Sequence, residues 1–444
     1  MDIKDRLELL KRERRARSRP HTVEDAWRKI DRESELSVKD KLQKLINLTG
    51  QNPARNKARS PASPEFLESV RGEPVQIIEN SYGLMTSYGR TPIGLGLEIR
   101  GDVLSFLSRS GEFEDLDLST ALFFDLETTG LAGGAGTVAF LVGLGFYRND
   151  RFNLVQYFLA DRSEEQKMVE DLARFFEEMD FRSIVTYNGK YFDLPLLETR
   201  FVLNRTPLRL SSLPHLDFLF AARSLWKHKY ESCRLFHLAR EIVQADRAED
   251  IPSEEIPGRY FEYMRTGNRS LIEPVIYHNQ EDILSLLGLV ISGAMLLSKK
   301  GEEFFDEALD ALDLYGLGKI YETAGEVEKS VQFFEQAIRG ELTEAVAIKA
   351  WKRLSAHFKK NRLWDKAIPM WQEMAGLNQL YSFRELAMYY EHKEKDYLQA
   401  KRAAEEGLAL AQDLDSNLAR DFGHRLERLN HKLGRPGKNG RTPA

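Results

Sequence analysis

Residues 121–130 read ALFFDLETTG, an apolar run that leads straight into Asp125 and Glu127 before a Thr-Thr-Gly turn. An apolar segment of this length, closed by a turn signal, reads as a buried strand. Side chains two apart on a strand share a face, so both carboxylates project together. Like charges held side by side repel unless a cation lies between them. An acid pair exposed at the end of a strand would spell the same letters, so the pair acquires meaning only from what accompanies it.

Working outward, TVAFLVGLGFY (137–147) and RFNLVQYFLA (151–160) are two more strands, with Asn149-Asp150 as the turn between them. EEQKMVEDLARFFEEM (164–179) is an amphipathic helix with Met168, Leu172, Phe175 and Phe176 on one side. SIVTYNG (183–189) returns to strand and FDLPLLETRFVL (192–203) to helix. Upstream, PVQIIEN (74–80) and GDVLSFLS (101–108) read as short β-like runs. A strand meander followed by alternating strand and helix predicts an α/β fold, a mixed central sheet flanked by helices.

Two further acids stand out. Asp193 follows the Asn188-Gly189-Lys190 turn and begins a helix, where a carboxylate also suits the helix dipole. Asp282 lies in VIYHNQEDILSLLGLV (275–290), which has helical periodicity, with His278 one turn earlier on the same face. Tyr277 is rotated off that face, and Glu281 is expected to face solvent. Asn188, ahead of Asp193, could contact a substrate or stabilise its own turn. His215 and Asp217 could support the site, although a structural role suits them better. The glycines of LAGGAG (131–136) follow the acids at the wrong spacing for a dinucleotide fingerprint and suit a sharp turn instead.

The order D-x-E, an Asp after an Asn-Gly turn, and an Asp led by Tyr-His on a helix resembles the DEDD-type 3′–5′ exonuclease superfamily of the ribonuclease H-like fold. Asp125 and Glu127 match its first motif, Asp193 its second and Asp282 its third. FFDLETTGLAGGAGTVAFLVGLGFY, YNGKYFDLPLLETR, PHLDFLFAARSLW and EIPGRYFEYMRTG resemble the YprB-type branch, so the likeness runs from about 75 to 297. It implies a metal-dependent 3′–5′ exonuclease acting on DNA or RNA, with two Mg²⁺ or Mn²⁺ ions held by Asp125, Glu127, Asp193 and Asp282. It also implies a nucleic-acid substrate presented as a single-stranded 3′ end, with Thr128 and Thr129, which follow the acidic pair, meeting its terminal nucleotide. One departure affects the base. The superfamily places either Tyr four residues or His five residues before the last Asp, and this chain has His278 and Tyr277 at those spacings instead. His278 is favoured because it shares the face of Asp282 and titrates near neutral pH; Tyr277 is the fallback. Two other readings stay open: a non-catalytic nuclease-fold scaffold for protein interaction, and a structure-selective endonuclease.

Past residue 300 the pattern is all-helical and imperfectly repeated. Leu317-Gly318…Tyr321, Leu354-Ser355…Phe358 and Leu386-Ala387…Tyr390 share one spacing. Ser330 and Phe334, Ala367 and Trp371, and Ala400 and Ala404 follow as second anchors. Offsets of 37 and then 32–33 residues resemble a tetratricopeptide-like array, which could bind a protein partner. The expected organisation is a charged arm and linker over 1–70, a ribonuclease H-like domain over 71–299, helical repeats over 300–430 and a disordered tail over 431–444. The 444 residues carry a net charge of -5, which argues against a wholly basic binding surface and leaves a local groove open. A single cysteine, Cys233, excludes a disulfide framework or a cysteine zinc site and reads as a small core residue. The charged N-terminus lacks a secretory core, and the apolar run 283–297 is shorter than the roughly 20 residues of a membrane span. A soluble cytoplasmic protein with no membrane partner is therefore expected.

Overall fold

The computed structural model describes residues 74–130, 136–247, 250–298, 309–412 and 416–434. The expected arm and linker, most of the LAGGAG stretch, the 299/300 boundary and the end of the tail lie outside them. Strand β1 spans Val75–Gly83, followed by a small hairpin of β2 (Ser87–Tyr88) and β3 (Thr91–Pro92) and by helix α1 (Gly101–Ser108). Next come β4 (Ala121–Thr128), β5 (Ala139–Arg148), β6 (Arg151–Leu159), α2 (Glu165–Met179) and β7 (Ser183–Thr186). Helix α3 (Asp193–Leu203), β8 (His215–Asp217), α4 (Phe218–Trp226) and the short α5 (Leu235–Leu238) follow, then α6 (Ile256–Thr266) and α7 (Glu273–Leu297).

The six-stranded sheet has the order β1-β6-β5-β4-β7-β8, antiparallel on the β1 side and parallel from β4 through β7 to β8. This is the mixed, helix-flanked sheet that the sequence predicted. Alternation along β4 divides its side chains between two cores. Leu122, Phe124 and Leu126 pack under α2, α3 and α6, whereas Ala121 and Phe123 face α4 and α7. Asp125 and Glu127 continue the Phe123 face, so they point toward α7. That helix lies close to the sheet because β5 presents Gly143 and Gly145 opposite Asp125 and Phe123. A Cβ on Gly143 would collide with the Asn279 amide, and one on Gly145 with Ile283 and Phe152.

Two local expectations change. GDVLSFLS is helix α1 rather than strand: Leu104 and Leu107 are buried one turn apart, Val103 and Phe106 pack beside them, and Asp102 accepts from the Val103 amide in the first turn. Glu281 is buried, not solvent-facing, because Tyr88 of the distant hairpin donates to its carboxylate at 2.7 Å. The apolar run 283–297 is part of a longer helix: Arg269–Leu297 is by length and composition apolar enough to cross a membrane, and 83% of its apolar 18-residue stretch is buried inside the protein. A helix apolar all round is what the centre of a two-layer core requires. Cys233 is half-buried at the edge of the core.

Helices α8 (Ala311–Thr323) and α9 (Val327–Ala337), α10 (Glu344–Lys360) and α11 (Trp364–Gly376), and α12 (Leu380–Tyr389) and α13 (Tyr397–Ala411) form three successive pairs, closed by α14 (Ser416–Leu433). The repeated residues are what these pairs bury: Leu317, Leu354, Leu386, Phe334, Ala367, Trp371, Ala400 and Ala404 are all in the core. Helix α8 docks on α4 through Lys319, which donates to the Arg223 and Ser224 carbonyls, and through Lys229, which pairs with Asp310 and Asp313.

Candidate active site

The acids converge at the carboxyl end of the parallel strands, where open α/β sheets place their ligands. The last residues of β4 supply Asp125 and Glu127, the first residue of α3 supplies Asp193, and α7 supplies His278 and Asp282. All five line one cleft of 740 Å³, together with Thr128, Asn188, Tyr191 and Phe192. Sequence positions spanning more than 150 residues thus meet in one cavity.

The carboxylates crowd one another. Burial, then the charges of Asp282 and Asp193, push the Asp125 carboxyl far above its ordinary range, against a hydrogen bond from Asn279. Glu127 is raised well above its range by burial first, then by Asp125, Asp282 and Asp193. Burial, Asp217 and Asp282 lift Asp193 to about 7. Among the described residues neither Asp125 nor Asp193 has an ion-pair partner, and Glu127 has only His278 at 3.7 Å. An assembly of this kind is electrostatically unfavourable alone and favourable around a hard cation, which prefers carboxylate oxygens. The donor set therefore fits Mg²⁺ or Mn²⁺ in kind. Its geometry is open: among the described residues no three Asp, Glu, His or Cys side chains are already drawn into a metal-holding group.

Each acid has a support. Asn279 bridges the sheet, donating to Asp125 Oδ2 at 2.8 Å and accepting from the buried Gln156 at 2.8 Å. Gln156, Gly143 and Asp125 are neighbours across β6, β5 and β4, so the missing side chain of Gly143 is the space Asn279 occupies. The turn before Asp193 is fixed by Asp217, whose carboxylate accepts from the amides of Asn188 (2.7 Å), Lys190 (3.2 Å) and Leu219 (3.2 Å). Asn188 takes the left-handed backbone conformation, φ 68°, that Asn tolerates better than most residues. His215 donates to or accepts from Thr186 at 2.8 Å, and burial followed by Lys190 lowers its pKa to about 4. Asp217 thus holds the turn that carries Asp193, and His215 lies beside it on β8.

Asp282 is the exception among the acids. Arg247, almost wholly buried, pairs with it at 2.6 Å and with Asp250 at 2.5 Å. Asp250 in turn meets His278 Nδ1 at 2.5 Å, leaving Nε2 toward Asp282 (3.4 Å) and Glu127 (3.7 Å). Burial lowers the His278 pKa, but the Asp250 hydrogen bond and the charges of Asp282 and Asp250 outweigh it, so the net shift is upward. Tyr277 is not among the cleft-lining residues, and neither is Thr129, whose hydroxyl accepts from the Val138 amide. Thr128 lines the cleft while donating to the Gly130 carbonyl.

Arg247, Asp250, Asn279 and Gln156 were not identified from the sequence. Asn279 and Gln156 left a faint signal, a polar residue inside an otherwise apolar helix or strand. Arg247 and Asp250 lie in irregular chain, where no periodicity points to them.

Residues 122–292 match the family model of the RNase H superfamily. Over 333 residues the chain is 32% identical to the uncharacterized protein YprB of Bacillus subtilis strain 168, covering 74% of this chain and 78% of that one. Among solved structures, the family B DNA polymerase of the hyperthermophilic archaeon Pyrobaculum calidifontis aligns with 49% of this chain and 28% of its own, at 17% identity and a TM-score of 0.34. A superposition that loose carries no argument about chemistry.

Proposed function

The chain belongs to the RNase H superfamily, in the family that includes YprB of Bacillus subtilis, and on that premise we propose that it is a metal-dependent 3′–5′ exonuclease acting on DNA or RNA. The observation that carries the reading is the cleft in which Asp125, Glu127 and Asp193 crowd together with, among the described residues, no ion-pair partner except His278 at 3.7 Å from Glu127. A fold stabilised by such a cluster alone would gain from replacing it, so the cluster points to a ligand that balances it. When bound, two Mg²⁺ or Mn²⁺ ions held by Asp125, Glu127, Asp193 and Asp282 supply charge stabilisation to the attacking and leaving oxygens of an in-line displacement.

The chain's own groups provide the rest. His278 takes the proton from the attacking water at Nε2, and Asp250 on Nδ1 fixes the ring's orientation and tautomer. Thr128 and Asn188 meet the terminal nucleotide. Tyr191 and Phe192, exposed at the cleft mouth, offer faces on which unpaired bases stack. The three helical pairs are tetratricopeptide-like units and present a surface to a protein partner.

The test is digestion of single-stranded DNA and RNA labelled at the 5′ end, with and without Mn²⁺. Stepwise shortening by the wild-type protein, lost in Asp125→Asn, is the expected result. Internal fragments without terminal shortening would instead make the protein an endonuclease. No cleavage of any substrate would refute the enzyme reading.

A further inference from the structure

An acidic cleft repels a polyanion, so a nuclease built on these carboxylates needs cations beside them to hold its substrate. We propose that a second groove, continuous with the cleft, binds the phosphate backbone of a single-stranded nucleic acid behind its 3′ end; this rests on the nuclease reading of the cleft. The groove encloses 1220 Å³ and shares Tyr187, Asn188, Ser253, His278 and Asp282 with the cleft. Tyr187 joins the two, its hydroxyl donating to the Cys233 carbonyl in the groove wall.

Three exposed cations line the groove: Arg223 on the outer side of α4, Lys227 just past the end of that helix, and Arg234 just before α5. The opposite side of α4, with Ala222, Leu225 and Trp226, is buried in the core, so the helix cannot turn these charges away. Among the described residues none of the three side chains has a hydrogen-bond or ion-pair partner, whereas nearby Lys229 and Arg247 are both ion-paired. In a chain of net charge -5, unpaired cations gathered along one groove stand against the overall balance.

The groove also contains acids. Asp250 and Asp282 share Arg247 and His278 as partners, which leaves Glu231 and Glu254 against the three cations. Tyr230 and the exposed ring of Phe236 add aromatic surface between the charges. Positive charge with aromatic faces is the combination that tracks a single strand: cations follow the phosphates and rings take unpaired bases. In a duplex the bases are already stacked on each other and have no face to offer these rings.

The test is fluorescence anisotropy on the full chain in EDTA, with labelled twelve-nucleotide oligo(dT) and oligo(rU), a trinucleotide and a blunt duplex. Wild type should hold the twelve-nucleotide strands about tenfold more tightly than the trinucleotide. The triple variant Arg223→Gln, Lys227→Gln, Arg234→Gln should lose that advantage, and its salt dependence should fall by about 2 in log–log slope, as expected for three lost phosphate contacts on a single strand. Its Mn²⁺-dependent cleavage of the trinucleotide should be unchanged. Wild-type affinity in the triple variant, or equal affinity for the duplex, would overturn the groove. Wild-type binding that depends on these three cations, without any cleavage, would support the groove and refute the nuclease reading. Cleavage with the same KM for short and long strands would do the reverse.

Discussion

Two sites in this molecule bury acids, and they handle the charge in opposite ways. In the helical region Glu391, wholly buried between α12 and α14, receives Arg425 at 2.7 Å, Arg428 at 2.7 Å and Lys432 at 2.8 Å. Burial pushes its carboxyl up, but the hydrogen bonds of Arg428 and Lys432 prevail and bring it down to about 2. At the end of β4 the balance is reversed. Asp125, Glu127 and Asp193 are raised because burial and their neighbours' charges act in the same direction. Burial of an acid is therefore not what marks a site. Under the proposed function, the acids left unbalanced beside the open cleft are the ones that take a ligand, whereas Glu391, surrounded by cations, holds helices together.

The largest expected effect separates the two by activity. Asp125→Asn should lower turnover by about a thousandfold, ~4 kcal/mol of barrier, while the metal-free protein becomes no less stable to urea because a crowded charge is gone. Glu391→Gln should do the converse. It leaves Arg425, Arg428 and Lys432 without their partner and should cost about 3 kcal/mol of stability, with digestion per folded molecule unchanged. Equal activity losses in both variants would break the distinction.

Gly143→Ala probes the support of the cleft. The new methyl meets the Asn279 amide, so urea unfolding should show a loss of about 2 kcal/mol, and turnover should fall as Asp125 loses its Asn279 hydrogen bond. The smallest signal is in slopes against pH. Glu391 has a depressed folded pKa, so its contribution is complete above its ordinary 4.5 and is lost as pH falls toward about 2. Asp193 has a raised one, so in EDTA it weakens the fold as pH rises from its ordinary 3.8 to about 7, with the full cost above that. Urea unfolding at stepped pH should flatten the acid limb in Glu391→Gln and the neutral limb in Asp193→Asn.

The sequence revealed whatever is periodic and local. The apolar run into Asp125, the helical pattern around Asp282 and the repeated anchors Leu317, Leu354 and Leu386 announce their elements, because burial on one face leaves a period. What it concealed depends on distant contacts. Glu281 looks like a surface acid until Tyr88 is brought to it by the fold. Asp250 sits in irregular chain and gains its meaning only from His278 and Arg247. The segment 101–108 has apolar residues in adjacent pairs, which both strand and helix accommodate, and packing on the core decided for the helix. Thr129 shares its neighbour's chemistry but spends its hydroxyl on the Val138 amide. The likeness of the third acidic motif placed a base near Asp282, and the fold puts His278 rather than Tyr277 in the cleft.

The most direct test is calorimetric titration of Mn²⁺ into metal-free protein, followed by thermal unfolding of the same samples. Wild type should bind Mn²⁺ and melt at a higher temperature with it, because the ion relieves the crowding of Asp125, Glu127 and Asp193. Asp125→Asn and Asp193→Asn should bind it far more weakly and gain little. Wild-type protein that neither binds Mn²⁺ nor gains stability from it, or variants that bind it as well as wild type, would contradict the account.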